Sequence, residues 1–188
     1  MEKVPVMPAL VGPSDNRIPN LLANSFLRGS AEDFADRGQI HNLVRLSDRA
    51  VREYHRAAEA FTEWGTLPPM HLKPFWKGIS SLEGCINATH RANLHARHIR
   101  RSIPEAEIEV LPEHLRQRLT GVRDGIEHVD EHLKGGKLQS GVSAMTLRPG
   151  RDIMEIGNKS MTYVDLADCV RNMDLAAEGI INHDWGIE

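Results

Sequence analysis

The chain reads as an all-α protein: an up-down bundle of four main helices with a small β-hairpin inserted before the last helix. Three observations carry that expectation. Apolar residues recur at steps of three and four through four long segments. Pro68-Pro69, Pro104, Pro112 and Gly135-Gly136 punctuate the gaps between those segments. Between residues 144 and 163 the helical period breaks and turn residues separate short apolar runs.

Composition sets the outer bounds. A chain of 188 residues with 40% hydrophobic and 26% charged residues fits one ordinary folded domain. The net charge of −3 excludes the overall basic field of a non-specific nucleic-acid binder. Any nucleic-acid contact must then rest on a local patch. No apolar run approaches the roughly 20 residues that span a bilayer, and the N-terminus lacks a charged segment followed by an apolar core. A cytoplasmic protein without membrane contact is expected. Cys85 and Cys169 sit far apart in apolar, helix-like runs and read as buried free thiols.

Residues 1–36 form an N-terminal arm. Pro5, Pro8, Pro13 and Pro19 break it, and no period is sustained, so its order depends on lying against a partner or against the bundle. The bundle domain then runs over 37–188. Its first helix is predicted over about 38–64, with Ile40, Leu43, Val44, Ala50, Val51, Tyr54, Ala57, Phe61 and Trp64 on one face; Gly65 and Pro68-Pro69 end it. The second is predicted over about 75–102, with Pro74 in its first turn and Pro104 beyond its end. Gly78 and Gly84 weaken it locally by roughly 1 kcal/mol each, and such positions let another helix come close. Trp64, Phe75 and Trp76 flank the connecting loop and are expected to pack the end of the bundle rather than stack bases.

The third helix starts after Pro112 and is predicted to continue to Gly135-Gly136. Its stripe of Leu115, Leu119, Val122, Ile126, Val129 and Leu133 is narrow, which suits a helix at the edge of a bundle or sealed against another subunit. From 137 to 162 a small hairpin or meander is predicted, with Pro149-Gly150 as one turn. Thr162-x-x-Asp165 resembles a capping box and starts the last helix. That helix carries Leu166, Val170, Met173, Ala176, Ala177 and Ile180 on its core face; Tyr163 also reads as core.

The chemistry-bearing stretch is Arg123 to His132. It places arginine, several carboxylates and two histidines on a helix that needs few of them for packing. Arg123 and His128 stand about 140° apart around the helix. Asp124 and His128 share the face opposite the stripe, with Gly121 and Gly125 beside it, where a second helix or a ligand backbone can approach. Three pairs in the chain have four to six residues between an arginine and a following histidine: Arg49–His55, Arg91–His98 and Arg123–His128. Only the last has a polar residue directly after the arginine, a narrow-striped helix and flanking glycines.

A helical bundle with R-x(4–6)-H late in a long helix resembles the HEPN superfamily, whose active members are metal-independent endoribonucleases. The resemblance implies a homodimer in which Arg123 and His128 meet their symmetry mates across a cleft. It implies attack of an RNA 2′-hydroxyl on the adjacent phosphate, with His128 as general acid or base, Arg123 on the phosphate, and Asp124 as the polar residue after it. It implies no metal or other cofactor. It also implies a toxin or defence role beside a nucleotidyltransferase-like antitoxin. The basic segment His90-Arg91 to Arg100-Arg101 offers Arg91, Arg97 and Arg100 as substrate-binding residues.

Two other readings stay open. His128 and His132, four apart on one face, can chelate a metal with Asp124 and with His90, His95 or His98; that pattern looks somewhat like the DinB-like metal-binding bundles. Alternatively, the charged face is a solvated surface laced with charge pairs at three- and four-residue spacing, and the protein is a non-catalytic helical interaction or scaffold module.

Overall fold

Each of the four periodic segments is a helix in the computed structural model of the protein, which describes residues 4–12, 17, 34–68, 70–128 and 147–183. These are α1 (Phe34–Thr66), α2 (Lys73–Ser102), α3 (Glu113–Glu127) and α4 (Tyr163–Asn182). The protein is mostly helical, with a small three-stranded antiparallel sheet. One buried cluster joins every element: Leu43, Tyr54 and Phe61 from α1, Leu82 and Ile86 from α2, Leu119 and Val122 from α3, Leu166 and Met173 from α4, and Met154 and Met161 from the sheet.

Helices α1 and α2 pack antiparallel. Gly78 of α2 lies under the Phe61 ring, Gly84 lies against Glu53, and His95 bonds Gln39. At Gly78 a Cβ would sit 2.6 Å from the ring, so the missing side chain is what lets the helices close. Phe61, Trp64, Phe75 and Trp76 form an aromatic end to this pair, with Trp64 and Phe75 centroids 4.9 Å apart. Trp64 and Phe75 pack the end of the bundle as expected, whereas Trp76 is 47% exposed. Past α2, a 3₁₀ turn at Pro104–Ala106 redirects the chain, and the Leu111 N–H donates to buried Asn93 Oδ1 at 3.2 Å.

The predicted hairpin is a three-stranded meander. Its strands are β1 (Arg148–Pro149), β2 (Ile153–Ile156) and β3 (Lys159–Thr162). Pro149, expected in the first turn, pairs instead with Met154 at the end of β1; the turn runs over Gly150 to Ile153 and is closed by the Gly150 N–H to the Ile153 carbonyl at 2.7 Å. Ile156 pairs with Lys159, leaving a two-residue loop in which Gly157 takes φ 57°. Met154, Ile156 and Met161 point into the core. The Thr162 hydroxyl accepts from the Asp165 N–H at 3.0 Å and caps α4, as its sequence indicated.

Residues 4–12 and 17 of the arm lie on the bundle. The Val4 side chain covers Gly65 and the Tyr54 hydroxyl donates to the Pro8 carbonyl at 2.9 Å. The Val6 N–H donates to the Arg151 carbonyl at 2.7 Å. Arg17 reaches Asp48, so the arm runs antiparallel to α1. Arg17 is 3% exposed. Its guanidinium meets Asp48 at 3.2 Å on α1, and Asp174 at 2.5 Å and Glu178 at 3.1 Å on α4. Burial works against the Arg17 charge, but the bonds and attraction to Asp174 and Asp48 outweigh it and raise its pKa.

Cys85 and Cys169 are buried and free, as expected; burial pushes the Cys85 thiol up to about 12. No helix among the described residues is long and apolar enough to cross a membrane.

Candidate functional site

Helix α3 buries Leu115, Leu119 and Val122, with Ile126 half-buried. Its two flanks then serve different neighbours. On one flank Gly121 meets the aliphatic stem of Lys159, and Gly125 meets Ile156. The glycines do admit a close neighbour, but that neighbour is this chain's own sheet and not a second helix. A Cβ at Gly125 would sit 2.6 Å from Ile156 Cγ2. Gly125→Ala should therefore lose about 1–3 kcal/mol of stability in a denaturant titration, as overpacked sites do; a gain of stability would show that the sheet sits farther away.

The other flank faces α2. Arg123 donates through one terminal nitrogen to Asp124 Oδ1 at 3.1 Å and pairs through the other with Glu127. His90 of α2 is the titratable neighbour of this group. It is half-buried, and its Nδ1 is buried without a hydrogen-bond partner among the described residues. Burial, then the nearby Arg123 charge, lowers its pKa, against the opposing pull of Asp124 and Glu127. Its folded pKa lies below the ordinary 6.5, so its contribution to stability is present above that value and lost as pH falls below it. NMR titration should place His90 below 6.5, and Arg123→Ala should raise it; an unchanged value would separate the two groups.

The helix closes at Glu127, short of the predicted end, and His128 caps it through its N–H to the Asp124 carbonyl at 2.9 Å. His128 is exposed. The stretch from Val129 through His132 to Gly136, with the remainder of the predicted third helix, lies outside the described residues.

Of the expected substrate residues, Arg91, Arg97 and Arg100 are all exposed on α2, but their spacing spreads them around the helix. They do not converge on one phosphate pocket. Arg91 lies beside His95, and Arg97 acts on Glu113. The metal reading fares differently. His95 Nδ1 is bonded to Gln39 at 2.5 Å and His98 to Asp36 at 3.5 Å, both on α1, while His90 faces α3. Among the described residues no group of three or more His, Cys, Asp or Glu side chains gathers as a metal site.

The arrangement can hold an anion and move a proton. Asp124 and Glu127 fix the plane of the Arg123 guanidinium yet engage only its two terminal nitrogens. Arginine carries five N–H donors in a fixed fork, more than the two contacts Arg123 makes with these carboxylates among the described residues. No family model, curated protein or solved structure matches this chain.

Proposed function

We propose that the protein is a metal-independent endoribonuclease of the HEPN type, built as an up-down bundle and working as a homodimer. The observation that carries this reading is the Arg123 guanidinium held by Asp124 and Glu127, five residues before exposed His128 on the same helix. In the reaction the RNA 2′-oxygen attacks the adjacent phosphorus and the 5′-oxygen leaves, giving a 2′,3′-cyclic phosphate. His128 takes the 2′-proton, and its mate from a second copy returns a proton to the leaving oxygen. Arg123 offsets the charge that grows on the phosphate, and Asp124 holds Arg123 in place. In this reading the protein acts on RNA in the cytoplasm, with a nucleotidyltransferase-like antitoxin as its partner.

One observation favours a second reading. Both terminal nitrogens of Arg123 already face carboxylates, which is how a solvated helix surface neutralises itself. A non-catalytic interaction module would look the same at this position. Incubation of the purified protein with single-stranded RNA in EDTA separates the two: the ribonuclease cuts, and intact RNA after prolonged incubation selects the module.

A further inference from the structure

The outer ridge of α1 carries Arg45, Arg49, Arg52 and Arg56, all exposed. Steps of four, three and four put them within a sector of about 60°. The row is roughly 16 Å long, with cations about 4.5–6 Å apart along the axis. Of the neighbouring acids, one lies in the helix seam, where it still attracts Arg52, and one neutralises Arg56, the last arginine of the row. Asp48 turns inward to Arg17, and Glu53 pairs with Arg56 at 3.0 Å. Arg45 donates only to the neutral Asn42. Arg49 and Arg52 make no hydrogen bond or ion pair with another described side chain.

The row continues across the seam to α2. Arg91 is exposed there, and burial, Arg91, Arg45 and His98 all disfavour protonation of His95 between them. The next residue on α2, His90, borders Arg123. A protein of net charge −3 thus concentrates cations on one surface that leads from α1 to α3.

We propose that Arg45, Arg49 and Arg52, continued by Arg91, form a track for the sugar–phosphate backbone of single-stranded RNA leading to Arg123. That the polymer is RNA rests on the ribonuclease reading; the track itself rests on the row. A straight line of cations on a convex helix follows one strand and reads no groove. An anionic membrane fits less well, because no large apolar side chain is exposed on α1 among the described residues, and an interfacial helix needs such residues to insert. No aromatic residue stands in the row either, so binding should tolerate any sequence.

The test is fluorescence anisotropy in EDTA with a labelled oligo-uridine strand of about 20 nucleotides, longer than the row. The full chain carries His128→Ala so that the strand stays intact. Arg45→Ala, Arg49→Ala and Arg52→Ala together should weaken binding at least about tenfold and reduce the slope of log K against log salt by about 2. Arg49→Glu alone should weaken it in the same direction, and Arg151→Ala, an exposed cation off the track, should leave it unchanged. Unchanged affinity and slope in the triple variant overturn the track. So does absence of RNA binding at about 50 mM salt, or tighter binding to phosphatidylserine vesicles than to RNA. Cleavage by protein with native His128 is scored separately. Binding without cleavage keeps the track and removes the ribonuclease; cleavage indifferent to the triple variant does the reverse.

Discussion

Replacing Arg17 by methionine is expected to cost the folded protein about 3–5 kcal/mol, the usual penalty for stranding one partner of a buried ion pair. Asp48 is the stranded group. It is 3% exposed, and burial already raises its carboxyl above the ordinary range against the pull of Arg17. Without the guanidinium it would face Asp174 across the α1–α4 seam, with only the more distant attraction of Arg52 on its own helix. For a chain of this size the loss corresponds to a fall of roughly 6–20 °C in Tm. The double variant Arg17→Met, Asp48→Leu should recover most of it, since apolar groups of similar volume often replace a buried pair at little cost. Thermal melts of the three proteins decide the matter. A single variant within about 1 kcal/mol of the parent would mean that the arm does not seat Arg17 between the helices in solution.

The second large effect is on catalysis. Arg123→Ala should lower RNA cleavage about 10²–10³-fold, as loss of a charge-stabilising donor does elsewhere. His128→Ala should lower it about 10²–10⁴-fold, the range for a lost general acid or base. Both residues lie at the surface end of α3, with Arg123 part-buried and His128 exposed. Their removal should therefore leave Tm nearly unchanged, which separates a chemical role from a structural one. Arg123→Lys keeps the charge but loses the fork that sits between Asp124 and Glu127, so it should restore only part of the activity. Equal cleavage by all variants would assign the activity to something other than this site.

What was legible in the sequence was local. The three-and-four period marked all four helices, Pro149-Gly150 marked the first turn to within a residue, and Thr162-x-x-Asp165 marked a cap. Pairings across long stretches of chain were not. Gly121 and Gly125 announced a close approach, but nothing nearby said that Lys159 and Ile156 would make it, 38 and 31 residues on. Arg17 sits in a proline-broken arm with no period, and its partners lie on α1 and α4. One signal did exist: Asp48 follows Ser47 on the buried side of α1, where a charge needs a partner. His90 was readable as a spare metal ligand; only the packing of α2 on α3 sets it beside Arg123. The arginine row of α1 is plain in the spacing 45, 49, 52, 56, and gains meaning once Asp48 and Glu53 are seen to be engaged.

The central claim is that Arg123 and His128 cut RNA through its own 2′-hydroxyl. The most direct measurement uses a DNA strand that carries a single ribonucleotide, incubated with the protein in EDTA. Cleavage at that one position, leaving a 2′,3′-cyclic phosphate and a 5′-hydroxyl, is the predicted result, together with an untouched all-DNA strand. Cleavage of the all-DNA strand, or 3′-hydroxyl and 5′-phosphate ends, would contradict it.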